Sequence, residues 1–549
     1  MDAMHVLSAV EMQTCDRATT EQFGIPSLDL MRTAAAAVAA FAREQFPRAR
    51  RITVLCGRGN NGGDGMMAAH LLASVGLEVT TLLLGTPTGL TGDVEVAWRK
   101  LTNPAHGIIH IVNLPEELVR HKSALEADLF VDAVLGTGFK PPLKGLELAA
   151  LEWVKAGKAP ILAVDLPSGW PADETNAAVV GPVFPADAVI TFTAPKPAHV
   201  FGQLTRHWDQ PIVVAPIGSP DEAVLSALRL DWAGSALSLT HTPRAAAANK
   251  GNFGHVLLVG GSTGKSGAPA MAALGALRAG AGLVTAAVPT PILELVAGVA
   301  PELMTWPLIA TAAGHIAAEN LAPELIEALT AAKTVLAIGP GLGQSPETVK
   351  YIAGLLSATK MPAVIDADAL NMLATKPALL AKLAKGRTLV LTPHPGEMAR
   401  LAGIPVAEVQ ADRLGVARDF AQRNGVTLVL KGARTLIAHP DGRVAVNTTG
   451  NPGMAKGGSG DLLTGLIAGL LAQYPNDPAQ AVEAAVTLHG LAGDLAVREA
   501  DEHTLLATDS LAHLSRAFRF RSREPNGYLW LQGLPAESLQ AAALQEATQ

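Results

Sequence analysis

Residues 447–461 read NTTGNPGMAKGGSGD and run directly into the apolar stretch LLTGLIAGLL at 462–471. Five glycines and a proline mark a turn, and the stretch after it has the composition of a buried helix. A helix opened in this way leaves its first backbone N–H groups unpaired and presents the positive end of its dipole. That is a phosphate site. Asp461, the last polar residue before the apolar run, is not needed there as an anion partner. Beside a bound phosphate it could take a proton from an attacking hydroxyl. The stretch points to phosphoryl chemistry, or to chemistry assisted by a nucleotide.

Upstream lies a series of near-continuous apolar runs: HVLLVGG (255–261), GLVTAAVP (282–289), TVLAIGPG (334–341), AVIDADAL (363–370), TLVLTPHPG (388–396) and TLVLKGA (427–433). Such runs read as strands of a parallel sheet buried on both faces. The hairpin RTLIAHPDGRVAV follows, with Asp441-Gly442 as its turn. Ligands of parallel sheets bind beyond the carboxyl ends of the strands. GPGLG (339–343), TPHPGE (392–397) and KGART (431–435) all fall at that edge. GGSTGKSG (260–267) fails the spacing of a P-loop, whose first glycine would replace Val259. It reads instead as a strand–helix turn lining a pocket. His394, between two prolines, sits in an extended loop, either as a substrate contact or in a structural role. KGART suits a nucleotide phosphate or ribose, with a solvated strand end as the alternative.

The first half repeats the α/β pattern with different motifs. ITVLCG (52–57), VTTLLLG (79–85), LFVDAVLG (129–136), ILAVDLPSG (161–169), AVITFTA (188–194) and IVVAPIG (212–218) are its expected strands. GRGNNGGDGMMAAHLL (57–72) follows the first, with a helix expected from near Gly65. Its spacing is not the dinucleotide fingerprint GxGxxG, yet Asn60, Asn61 and Asp64 crowd polar groups into a Gly-rich turn. Asp132, Asp165 and Ser168 end further strands. They are either helix and turn caps or a set of hard oxygens converging with Asn61 on a cation.

With 549 residues, 49% of them apolar and 17% charged, the chain can fill two to four domains. The pattern fades over roughly 219–249, which divides the chain into 1–225, a linker at 226–245, 246–520 and a weakly ordered tail at 521–549. A net charge of −7 without a basic run disfavours nucleic acid and anionic membranes. Cys15 and Cys56 are too few for a disulfide framework or a zinc site. The first residues lack a signal-peptide pattern, and no charge-free run reaches the ~20 residues of a membrane span, so a soluble cytoplasmic protein is expected.

GGSGD resembles the anion hole and catalytic base of ribokinase-like kinases. With GNNGGDG, VDAVLGTG, VDLPSG, GSTGKSGA, GPGLG, TPHPGE and KGART in this order, the chain resembles the bifunctional NAD(P)H-hydrate repair enzymes from about residue 5 to about 515. The resemblance implies a Rossmann-like three-layer αβα domain followed by a ribokinase-like αβα domain. It implies epimerisation of (R)- and (S)-NAD(P)HX in the first and ADP-dependent dehydration of the S form in the second. The substrates would be NADHX, NADPHX and ADP with Mg²⁺, and the assembly a homo-oligomer. Asn60, Asn61, Gly62, Gly63, Asp64, Gly136, Thr137, Gly138, Phe139, Lys140, Pro141 and Pro142 would cradle the dinucleotide. Asp165 would be the acid/base, and Asn61, Asp132 and Ser168 would ligate K⁺. In the second domain Ala268, Gly341 and His394 would touch the hydrated cofactor. Lys431, Gly432, Ala433, Arg434, Thr435 and Gly460 would hold ADP, with Asp461 as the base. LMRTAA (30–35) departs from the family's LMExAG-like helix, with Arg32 at the acidic position and Ala35 at the glycine. A kinase of a small alcohol fused to a nucleotide-binding regulatory domain is the alternative.

Overall fold

The apolar runs form strands β1 (Arg51–Cys56), β2 (Glu78–Leu84), β3 (Ile108–Val112), β4 (Leu129–Ala133), β5 (Ile161–Val164), β6 (Ala188–Phe192), β7 (Ile212–Ala215), β8 (Leu230–Trp232) and β9 (His255–Val259). The series continues with β10 (Leu283–Pro289), β11 (Met304–Leu308), β12 (Val335–Ile338), β13 (Ala363–Ile365), β14 (Leu389–Leu391), β15 (Thr427–Leu430), β16 (Leu436–Ala438), β17 (Val444–Val446) and β18 (Leu529–Gln532). The structure, a computed structural model, describes residues 4–102 and 107–535. Two compact units emerge, one of Met4–Leu230 with the stretch from Arg521, the other of Asp231–Phe520.

The first unit holds an eight-stranded sheet in the order β18-β7-β6-β5-β4-β1-β2-β3, parallel except for β18. Strand order reverses between β1 and β4, so the crevice beyond their carboxyl ends is the topological switch point, where ligands bind in such sheets. Apolar cores cover both faces. One packs helices Ser27–Gln45 and Asn60–Ser74 on the sheet, and the other packs helix Gly145–Val154. β3 escaped the sequence reading because it is a partly exposed edge strand without the continuous apolar run of its neighbours.

Beyond residue 520, where a weakly ordered tail was expected, β18 pairs antiparallel with β7. Trp530 and Tyr528 are buried edge-on against Phe41, and the Tyr528 hydroxyl donates to the Ala37 carbonyl at 3.1 Å. The stretch has too few residues to show a period, so only its packing reveals it as a strand. Residues 536–549 of the expected tail lie outside the described residues.

The second unit holds a ten-stranded sheet in the order β11-β10-β9-β12-β13-β14-β15-β16-β17-β8, with a second reversal between β9 and β12. The hairpin forms as expected, with Gly442 at φ 90° in its turn. β11 was not foreseen, being an edge strand interrupted by Pro307. The expected linker at 226–245 is instead built into structure: β8 is followed by 3-10 turns over Ala233–His241, and the buried Trp232 indole donates to Thr448 Oγ1 at 2.8 Å. Among the described residues no helix is long and apolar enough to cross a membrane.

Candidate active sites

In the first unit a cleft of about 620 Å³ opens at the switch point, lined by Gly57–Asn61 after β1, Val134–Phe139 after β4 and Asp165 after β5. The helix after β1 begins at Asn60, earlier than expected, so the Gly-rich run forms its first turns. Close packing demands those glycines. A Cβ on Gly62 would lie 1.9 Å from the Gly57 carbonyl oxygen, and one on Gly65 would lie 2.4 Å from the Ala133 Cβ. Asp165 stands at φ 65°, a left-handed conformation uncommon outside glycine, asparagine and aspartate. Its Oδ1 accepts from Lys196 Nζ and from Thr191 Oγ1, each at 2.9 Å, and its Oδ2 accepts from the Thr137 backbone N–H at 2.9 Å.

Burial opposes the charge of Asp165, but the Lys196 ammonium and these hydrogen bonds outweigh it and hold the carboxyl well below the usual carboxylate range. His199 accepts the Lys196 backbone N–H at Nδ1, which leaves Nε2 to donate to the Asp165 carbonyl at 2.7 Å. Burial, reinforced by Lys196, pushes His199 down to about 4, so it stays neutral. Asp64 is raised well above its ordinary value by burial and by the charges of Asp165 and Asp16. An ionised carboxylate, a lysine and a second carboxyl that favours its proton can together take up and return protons.

In the second unit the helix Ser459–Gln473 starts at a glycine, Gly458, with φ 93°, and Asp461 lies in its first turn. Burial, then the charge of Asp366, pushes Asp461 up to about 6, while Lys431 pulls the other way. Asp366 is the hub of this site. Its Oδ1 accepts from Lys431 Nζ at 2.9 Å and from Thr392 Oγ1 at 2.7 Å, and its Oδ2 from Thr464 Oγ1 at 2.8 Å. Lys431 Nζ also lies 3.9 Å from Glu397, and a Cβ on Gly460 would come within 3.5 Å of it. The helix is locked against Gly267–Ala279, where a Cβ on Gly465 would meet the Ala272 carbonyl oxygen at 1.9 Å. A base near neutrality, a cation and free helix N–H groups are the parts phosphoryl transfer requires.

Residues 256–516 match the family described as NAD(P)H-hydrate dehydratase, and residues 27–198 match the YjeF-related protein N-terminus. The bifunctional NAD(P)H-hydrate repair enzyme Nnr of Moorella thermoacetica is 42% identical, over 94% of this chain and 97% of its own. The chain belongs to the bifunctional NAD(P)H-hydrate repair enzymes. The Nnr of Escherichia coli is 36% identical over 92% of this chain and 93% of its own. A solved ADP/ATP-dependent NAD(P)H-hydrate dehydratase from Bacillus subtilis, co-crystallised with ATP and Mg²⁺, is 34% identical. It covers 52% of this chain and 96% of its own, with a TM-score of 0.43.

In this repair-enzyme chain Asn60, Asn61, Asp64 and Gly136–Phe139 line the cleft, whereas Lys140, Pro141 and Pro142 stand exposed past it. Asp132 and Ser168 meet: the carboxylate accepts the Ser168 hydroxyl at 2.6 Å and its backbone N–H at 2.8 Å. Burial pushes Asp132 up to about 6. A Cβ on Gly136 would lie 3.0 Å from Asp165 and 3.2 Å from Asn61, so this loop joins the two residues. Arg32 lies on the surface paired with Asp29 at 2.9 Å, while Leu30, Met31 and Ala34 of the same helix face the cleft.

In the second unit Gly341 packs on Ala268 and Lys265. His394 caps helix Pro395–Ala402, its Nδ1 accepting from Gly396 at 3.0 Å. Within KGART, Lys431 faces the Asp461 site and Arg434 donates to the Thr448 carbonyl at 3.0 Å. Sequence reasoning missed Lys196, His199, Thr191 and Asp16 in the first site, and Asp366 and Glu397 in the second. The cation in PKPAH, directly after a buried strand, was the overlooked signal for Lys196.

Proposed function

We propose that the second unit dehydrates the S form of hydrated NADH or NADPH at the expense of ADP, giving AMP and phosphate. The observation that carries this is Asp461 in the first turn of a glycine-opened helix, beside Lys431. Asp461 takes the proton of the substrate's ring hydroxyl as that oxygen attacks the terminal phosphoryl group. Helix N–H groups and Lys431 stabilise the charge on the transferring group. Loss of phosphate from the ring carbon and of a proton from its neighbour restores the dihydropyridine. Mg²⁺ carried on the nucleotide's phosphates would neutralise part of their charge, beside Lys431 and the helix N–H groups.

The first unit interconverts the R and S forms, with the ionised Asp165 moving the proton and Lys196 holding it in place. Asn61, Asp132 and Ser168 fit a K⁺ ion: all three offer hard oxygens, and neither polar atom of the buried Asn61 amide has a hydrogen-bond partner among the described residues. Potassium there would fix the dinucleotide-binding loop.

The test supplies mixed R/S hydrate, ADP or ATP, Mg²⁺ and K⁺, and follows the near-ultraviolet absorbance of reduced nicotinamide. Full recovery is expected from the natural chain and none from Asp461→Asn. Asp165→Asn should recover the S form and then continue only slowly. No recovery with either nucleotide would overturn the dehydratase reading.

A further inference from the structure

We propose that Arg58 selects the 2′-phosphorylated substrate, the hydrate of NADPH over that of NADH, in the first unit. This rests on the epimerase reading above. In a sheet with the order β3-β2-β1-β4-β5-β6, the adenosine ribose of a dinucleotide lies over the carboxyl end of β2. An acidic side chain at that end reads a free 2′-hydroxyl, and an arginine there accommodates a 2′-phosphate.

Here the residue after β2 is Gly85, which has no side chain, and the arm of Arg58 fills the space. A Cβ on Gly85 would lie 2.8 Å from Arg58 Cδ, and one on Gly89 would lie 3.5 Å from its Nη2. The same Nη2 donates to the Thr88 carbonyl at 3.1 Å, so the exposed guanidinium is held across the end of β2 with its outer face open to a ligand. No carboxylate of the described residues pairs with it.

The cleft's other charges strengthen the case. Asp16, Asp64, Asp93, Glu147 and Asp165 line it with one further cation, Lys196, which Asp165 engages. Arg58 is therefore the cation among the lining residues with its charge uncommitted, and its planar fork matches a phosphate. Asp93, at the head of the helix after β2, is the like charge that a 2′-phosphate must tolerate.

The experiment measures epimerisation of each hydrate by NMR, with no nucleotide added so that the dehydratase stays idle. Arg58→Ala should raise KM for the NADPH hydrate about tenfold more than KM for the NADH hydrate, the loss of one charged bidentate contact. Adenosine 2′,5′-bisphosphate should inhibit the natural chain more strongly than AMP, and Arg58→Ala should erase that difference. An equal loss for both hydrates would place Arg58 on the shared pyrophosphate and overturn the proposal, as would no change for either. A natural chain inactive on both hydrates would instead sink the epimerase reading itself.

Discussion

Asp165 carries two costs at one residue, a left-handed backbone and a buried charge, and Lys196 makes the second tolerable. Removing one partner of a buried pair strands the other, at about 3–5 kcal/mol. Asp165→Asn should therefore lower the first unit's melting temperature as well as abolish epimerisation. Adding Lys196→Met should restore much of the stability and none of the activity. Calorimetry of the single and double variants checks this, and a double variant no more stable than the single one would refute the ion-pair account. Asp461 makes the opposite case: as the proposed base it would work only when ionised, and it is pushed up to about 6. The dehydration rate should be level above pH 7 and fall as pH drops through about 6. Asp366→Asn removes the neighbouring negative charge, so the falling limb should move to lower pH.

Helices and strands place these residues through glycine. The helix bearing Asp461 crosses Gly267–Ala279 at backbone distance, with Gly275, Gly465 and Gly469 at the seam. Gly465→Ala would force them apart, and overpacking of this kind costs about 1–3 kcal/mol. The expected result is a lower melting temperature with a reduced dehydration kcat, measured with KM to show that the displaced group is the base. The glycine turns were legible because each borders a buried apolar run, following a strand in most cases and opening the apolar helix at Asp461. That rule found Asn61, Asp132, Asp165, Gly341 and Asp461 at the edges of their sheets. It could not find Asp16, which comes to the first cleft from a helix before the first strand, nor Asp366, whose VIDADAL run holds no glycine. The rule also misplaced the start of the helix after β1, because a glycine-rich sequence reads as a turn even when close packing is what requires it. Edge strands β3, β8, β11 and β18 were lost for one reason: their partners, rather than their own composition, make them strands.

At the scale of the molecule, the second unit interrupts the first, whose chain leaves at Leu230 and resumes at Arg521. Truncation after Phe520 would strip β18 from β7 and take Tyr528 and Trp530 from the core around Phe41. Epimerisation should be lost and the first unit's thermal transition lowered, with dehydration of the S form retained. Calorimetry and the two assays run separately on the truncated chain test this, and full epimerase activity would show β18 to be dispensable.

The return of β18 also sets the order in which the protein can be completed on the ribosome. The first sheet emerges early but waits for its last strand until the whole of Asp231–Phe520 has been translated. At ~5–20 residues per second this is a delay of roughly 15–60 s, with the edge of β7 bare and open to pairing with other nascent chains. Arrested translation products would thus carry a nearly finished epimerase with an adhesive edge. A gene split between the two activities would yield a working pair only if the codons for β18 moved with the first half.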